Sequence, residues 1–345
     1  MAVRTLHAIM GQSNARGAAQ KSDLTDTRYN LTQTDVRQWT RLDATFGGTA
    51  SAAMSIPSGS FSIEAGYGYQ LRNTAGELPL IFRSGRSGTS LVGSWQPTAS
   101  GAEYASSIAD LWSCYEAAKS EFSSDTIAFG SLVWIQGEAD AQNTAWAADY
   151  EDNLVELIET WRGEFGASLP VVLVQLSTSC GVTLADAGDL AVMRSAYTAA
   201  AARVGNCAVV DASPIALQDD DVHYTADGLM ALSDLVFTAY RGLAAGAQHD
   251  VTARSFSSLA LAQAYADSAQ TAHGDRDEDP AEGGFGRRLG AGAVDPWPTT
   301  PRDEAVEKHP FQDVWYMPID GVMSAGALDT DTDARPVDLA WLRVA

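Results

Sequence analysis

Val3-Arg4-Thr5-Leu6-His7-Ala8-Ile9-Met10-Gly11-Gln12-Ser13-Asn14-Ala15-Arg16-Gly17 is a short, largely apolar run that breaks at a glycine and delivers a serine two residues later. Thr5–Met10 reads as a first β-strand, and Gly11–Gly17 as the turn that leaves it. A serine hydroxyl alone is a poor nucleophile. It needs a base within hydrogen-bond reach and a third group to hold that base in the right tautomer. Far along the chain, Asp220-Asp221-Val222-His223 offers both, an aspartate three residues before a histidine. The spacing favours Asp220 as the partner of His223, and Asp221 is the alternative in a run of three aspartates.

Outward from this strand, short apolar runs alternate with amphipathic stretches as far as about Leu243. That is the pattern of a parallel sheet covered by helices on both faces. Further strands are expected at Leu78–Arg83, Thr126–Ile135, Val171–Leu176 and Cys207–Asp211. The 3.6-residue period places Tyr104, Ile108, Leu111 and Tyr115 on one helix face, and Leu154, Leu157, Ile158 and Trp161 on a second. A third face carries Leu190, Met193, Tyr197 and Val204, and a fourth, beginning after Thr225, carries Leu229, Leu232, Leu235 and Tyr240. The expected fold is an α/β three-layer α/β/α sandwich around a five-stranded parallel sheet, with a C-terminal extension. Ligands of such sheets bind outside the carboxyl ends of the strands. Ser13, Ser87-Gly88-Thr89-Ser90, Gln136-Gly137-Glu138 and His223 each follow a strand and so converge on that edge.

The bulk composition narrows the function classes. The formal net charge is -22, and lysine occurs only at Lys21, Lys119 and Lys308. Such a surface repels nucleic acid and anionic membranes, so neither is an expected partner. It resembles the acidic surfaces of proteins from salt-loving organisms; a GC-rich genome favouring Arg, Ala, Gly and Asp codons gives the same bias. No run approaches the roughly 18 apolar residues that would span a bilayer. The first ten residues are too short and polar for a signal peptide, so a cytoplasmic location is expected, or a virion-associated one if the source is viral. Cys114, Cys180 and Cys207 fit no metal or disulfide pattern and read as buried small hydrophobes. No metal or cofactor is expected.

Three segments follow: a domain over residues 1–245, a helix and mobile linker over 246–309, and a small docking segment over 310–345. Val251–Asp267 has the composition of one more helix, and Ala272–Pro301, rich in Gly, Asp, Pro and Arg, that of a linker. Phe311–Met317 is aromatic enough to dock on the domain or on a partner, which leaves room for a homo-oligomer or a larger assembly. Asp329-Thr330-Asp331-Thr332-Asp333 lacks the glycine and glutamate of a calcium loop and reads as a solvated turn.

Residues 3–243 resemble the SGNH hydrolase superfamily, and within it the sialate O-acetylesterase-like carbohydrate esterases that include acetylxylan esterases of carbohydrate esterase family 6. The resemblance rests on Gly11-Gln12-Ser13-Asn14, on Ser87-Gly88-Thr89-Ser90-Leu91 followed by Trp95, on Trp134-Ile135-Gln136-Gly137-Glu138-Ala139-Asp140, and on Asp220-Asp221-Val222-His223. It implies a metal-independent esterase acting on an acetylated glycan. Ser13 would be the nucleophile, His223 the general base and acid, and Asp220 the orienting carboxylate. The oxyanion donors it implies are the backbone N–H groups of Ser13 and Gly88 and the side-chain amide of Gln136. Gln12, Asn14 and Glu138 would support them, Glu138 either by holding the Ser13 loop or as another partner for the histidine. Ile135 stands where the acetylxylan esterases often carry histidine.

Gly11–Asn14 taken alone also fits an ordinary strand-to-helix turn, and its resemblance to the nucleophile elbow of α/β-hydrolases fails because that serine follows a central strand far along the chain. His7 reads as a satisfied core residue. Trp95 and Trp134 are expected in the core rather than against a sugar ring. A second reading is a glycan-binding virion tail or spike component with incidental turnover, supported by the C-terminal extension.

Overall fold

The computed structural model describes residues 2–30, 32–56, 59–97, 101–184, 186, 188–243, 254–256, 307–308, 315–318 and 341–344. In chain order the strands up to residue 211 are β1 (Val3–Gly11), β2 (Ala19–Gln20), β3 (Gln33–Leu42), β4 (Thr45–Phe46), β5 (Ala52–Met54), β6 (Ser60–Phe61), β7 (Pro79–Gly85), β8 (Thr126–Ile135), β9 (Val171–Gln175) and β10 (Cys207–Asp211). The helices are α1 (Ser13–Arg16), α2 (Glu64–Asn73), α3 (Ala102–Glu121), α4 (Thr144–Phe165), α5 (Asp189–Val204) and α6 (Ala226–Gly242).

All five expected strands form. They lie parallel in the order β7-β1-β8-β9-β10, the doubly wound order in which the chain reverses direction between β1 and β8. The sheet is larger than expected. β3 adds a sixth parallel strand beside β7, and β4 and β5 pair antiparallel with β3, so the complete sheet is mixed and eight-stranded. β2 and β6 make a separate small ladder.

Strands buried on both faces need continuous apolar sequence, and β7 and β9 are buried at every residue. One face of the sheet packs through Leu6, Ala8, Met10 and Leu132 against Trp112 of α3, Trp161 of α4 and Tyr197 of α5. The other packs through Ile9, Ile81, Val133 and Val174 against Tyr67 of α2 and Leu229 and Val236 of α6. The expected face of α6 needs one correction. Leu235 is 38% exposed, and the buried stripe runs Leu229, Leu232, Val236, Phe237, because two successive steps of three carry 235 about 120° round the helix from Leu229 while 236 returns to its face. Cys114 is buried, whereas Cys180 and Cys207 are only half-buried; all three are free thiols.

His7 is sealed in the core. Its Nε2–H donates to Glu77 Oε2 at 3.2 Å, its Nδ1 meets Ser131 Oγ at 2.9 Å, and Thr5 Oγ1 donates to the same Glu77 oxygen at 2.8 Å. Burial by itself would raise the Glu77 carboxyl, but these bonds and the charge of Arg241 outweigh it and hold the group below the usual glutamate range. A carboxylate depressed in the folded state stabilises the protein above its unfolded pKa, about 4.3, and that stability is lost as pH falls through the lower folded value. Glu77→Gln is therefore expected to flatten the fall of unfolding free energy on the acid side. Urea denaturation across pH 3–7 checks this, and parallel curves for the two proteins would refute it.

In the C-terminal third, β11 (Arg254–Phe256), β12 (Glu307–Lys308), β13 (Trp315–Pro318) and β14 (Trp341–Val344) form a four-stranded sheet in the order β11-β14-β13-β12. Arg254–Phe256 falls inside the stretch expected as helix. It is extended because its backbone pairs with Leu342–Val344. The rest of that stretch, residues 272–301 and residues 329–333 lie outside the described residues.

Candidate active site

The exits of three neighbouring strands are tied together. Gln12 N donates to Ile135 O at the end of β8, and Arg86 N beyond β7 donates to Gly11 O, both at 3.1 Å. Gly11 holds φ +144°, and a Cβ there would overlap the Ile135 carbonyl oxygen, so only glycine lets β1 turn away this close to β8. Ser13 opens the one-turn α1 that follows.

His223 sits on a tight loop between β10 and α6. Gln218 N donates to His223 O at 2.7 Å, and Leu217 pairs with Tyr224. Within the loop Asp220 Oδ1 accepts the backbone N–H groups of Val222 and His223, each at 2.9 Å. Asp220 Oδ2 lies 2.6 Å from His223 Nδ1, and His223 Nε2 lies 2.9 Å from Ser13 Oγ. The partial burial of Asp220 favours its neutral form, but the bonds from His223 and Val222 prevail and hold the carboxyl below the usual aspartate range. An ionised carboxylate can only accept, so Nδ1 carries the hydrogen and Nε2 turns a lone pair toward the serine hydroxyl. Asp221, the alternative partner, is left-handed at φ +55° and faces the Gly181 backbone instead.

Asn14 brackets the imidazole. Its Oδ1 accepts Tyr224 N at 3.3 Å, and its Nδ2 donates to Val222 O at 3.1 Å and to Glu138 Oε1 at 2.6 Å. Among the described residues Glu138 is hydrogen-bonded to the histidine loop through Asn14. Burial raises its pKa, and its Oε2 has no hydrogen-bond partner among the described residues. Gln12 Oε1 accepts Ala139 N at 3.2 Å and Gln136 Nε2 at 3.3 Å, which ties the loops after β1 and β8.

The expected oxyanion donors divide. Gly88 is exposed at φ +70°, a conformation that suits glycine, and neither its N–H nor that of Ser13 has an acceptor among the described residues. Gln136 does not fit the role expected of it. Its Nε2 donates to Thr89 O at 3.1 Å and Asp140 Oδ2 at 2.5 Å, and its Oε1 accepts Tyr150 Oη at 2.9 Å. An amide with both hydrogens already engaged by protein acceptors has none to aim at a substrate. Trp95 and Trp134 meet edge-to-face in the core with centroids 5.4 Å apart. Tyr197, whose Oη donates to Gln136 O at 2.5 Å, and Tyr150 were not foreseen as part of this cluster.

The family description "carbohydrate esterase, sialic acid-specific acetylesterase" matches residues 3–241. The chain belongs to this family of carbohydrate esterases. It is a carboxylic ester hydrolase, and the serine, histidine and aspartate lie together at one rim of its family domain. The carbohydrate esterase fold resembles a protein from Arabidopsis thaliana (16% identity, TM-score 0.54, covering 70% of this chain and 99% of that one). It also resembles a carbohydrate acetylesterase from Xanthomonas citri (20% identity, TM-score 0.52), covering 70% of this chain and 56% of that one. No curated protein is significantly similar in sequence. Among the described residues of this esterase no helix is long and apolar enough to cross a membrane, and no three His, Cys, Asp or Glu side chains are grouped to hold a metal.

Proposed function

We propose that this carbohydrate esterase removes O-acetyl groups from a glycan through an acyl-Ser13 intermediate, with residues 1–245 as the catalytic domain. Ser13 Oγ attacks the acetyl carbonyl while its proton passes to His223 Nε2, and Asp220 stabilises the imidazolium. The tetrahedral intermediate collapses, the sugar oxygen leaves with the proton from Nε2, and the acetyl group stays on Ser13. Water then enters by the same route. It gives a proton to Nε2, attacks the acyl carbonyl, and releases acetate as the proton returns to Ser13 Oγ. The N–H groups of Ser13 and Gly88 receive the oxyanion in both halves, and one fixed donor of this kind is worth about 3 kcal/mol in serine hydrolases.

The observation that carries this reading is the unbroken chain from Asp220 Oδ2 through His223 to Ser13 Oγ, at 2.6 and 2.9 Å. Glycan binding without turnover would need neither an oriented imidazole nor a hydroxyl against it. A fluorophosphonate reacts only with an activated serine, so brief exposure followed by peptide mass spectrometry is expected to find the adduct on Ser13, alongside acetate release from an acetylated oligosaccharide. An adduct on a different serine would reject the assignment.

A further inference from the structure

We infer that Asp140 is a positioning residue for this reaction: its buried carboxylate, with the Gln136 amide it engages, fixes the loop that presents the Gly88 N–H to the developing oxyanion. The inference rests on the proposed role of Gly88. Among the described residues Gly88 itself has no hydrogen-bond partner, so its position is set by the residues on either side of it. On the upstream side Arg86 N is held by Gly11 O, and Ser87 N donates to Asp43 Oδ1 at 3.2 Å. On the downstream side the anchor is Asp140. Its two oxygens accept Leu91 N at 3.1 and 2.8 Å, Oδ1 lies 3.4 Å from Val92 N, and Oδ2 accepts Gln136 Nε2 at 2.5 Å. Gln136 passes the hold on to Thr89 O at 3.1 Å, one residue from Gly88. Thr89 Oγ1 in turn donates to Arg86 O at 2.7 Å and accepts Trp95 Nε1–H at 2.9 Å, which closes the loop on itself.

Asp140 is fully buried, and its bonding partners among the described residues are N–H donors with no arginine or lysine among them. The titratable groups whose fields it shares are Glu138, two residues before it, and Tyr150 on α4. Burial is the largest influence and pushes its carboxyl up to about 6, against the hydrogen bonds that favour the charged form. Protonation would set an O–H among three N–H donors, and an acceptor for the loop would be lost. Protonation of Asp140 should then add its own step to the acid limb of the pH–rate profile.

The test uses the full chain, p-nitrophenyl acetate, and Asp140→Asn beside Ser13→Ala. Asparagine keeps the shape but turns an NH2 toward donors. A donor displaced by an ångström costs on the order of 100-fold in rate, so kcat should fall by about that factor with KM within about threefold. On the acid side the wild-type kcat should show an extra fall of about 100-fold centred near pH 6 that Asp140→Asn lacks. A folded Asp140→Asn enzyme with wild-type kcat and acid limb would overturn the inference, as would a loss of rate that only tracks the unfolded fraction. Should the variant not fold, the wild-type profile decides: an acid limb without that extra fall also overturns it. Retained activity in Ser13→Ala would instead sink the mechanism on which the inference rests.

Discussion

Ser13→Ala is expected to lower kcat/KM for p-nitrophenyl acetate by roughly 10⁵-fold, while the unfolding midpoint stays where it is. The loss is large because, among the described residues, no other hydroxyl bonds the imidazole and Ser13 Oγ bonds only His223 Nε2. The fold is spared for the same reason. Removing Oγ leaves no other buried donor or acceptor unpaired, and alanine is a better helix former than serine at a position inside α1. Activity above water should persist, since the Ser13 and Gly88 N–H groups remain to polarise a bound ester. Because serine and histidine act as a unit, Ser13→Ala/His223→Ala should be little worse than either single variant. A loss under tenfold in Ser13→Ala, measured with protein shown to be folded, would remove Ser13 from the chemistry.

The parts of this molecule legible in its sequence are those where burial leaves a continuous apolar run or where a motif's spacing is local. Four of the five parallel strands were readable because a strand covered on both faces has no polar side to obscure it, and the half-buried edge strand β10 because Cys207–Val210 is an unbroken apolar run. β3 was not. It lies beside β7 toward the sheet's edge, and of its ten residues only Val36, Trp39 and Arg41 are buried, so it shows neither a run nor a clean alternation. α2 was hidden by its composition: Gly66 and Gly68 depress helix propensity, yet they allow close approach to Ser233 of α6 and Val36 of β3. The Asp220–His223 pair was legible because one tight loop makes it. Gln136 was placed on the right edge of the sheet, but where its amide hydrogens go depends on Asp140, Thr89 and Tyr150, which come from three different segments. Partners drawn from separate elements leave no periodic trace in a sequence.

The topology explains why these loops meet at all. The sheet continues outward from β1 through β7 and from β8 through β9, and doubly wound sheets bind ligands at the carboxyl ends of the strands where the order reverses. Ser13 follows β1, and the Gln136–Asp140 segment follows β8. The histidine comes from the loop after β10, two strands beyond β8, and that loop reaches back to Ser13. Asn14 holds that loop from the position next to Ser13, so serine and histidine are registered to each other through one side chain.

Asp220→Asn is expected to cost on the order of 10³-fold in kcat, with little change in stability, and Asp221→Asn almost nothing. In the first variant the amide oxygen can go on accepting the Val222 and His223 N–H groups, so the loop keeps its shape. The amide nitrogen then faces Nδ1 as a donor, and the ring answers by carrying its hydrogen on Nε2. A protonated Nε2 donates toward Ser13 Oγ and can no longer take its proton. The expected loss is smaller than that of a fully enclosed triad because the Asp220 side chain is 47% exposed, and water competes for the ring. Asp221 is the proper control. It is adjacent, equally charged and left-handed, and asparagine tolerates that backbone where alanine would be strained. Wild-type and variant kcat on p-nitrophenyl acetate, with thermal melts on the same samples, decide the matter. A larger loss at 221 than at 220 would transfer the orienting role to the neighbour and break the chain from carboxylate to hydroxyl.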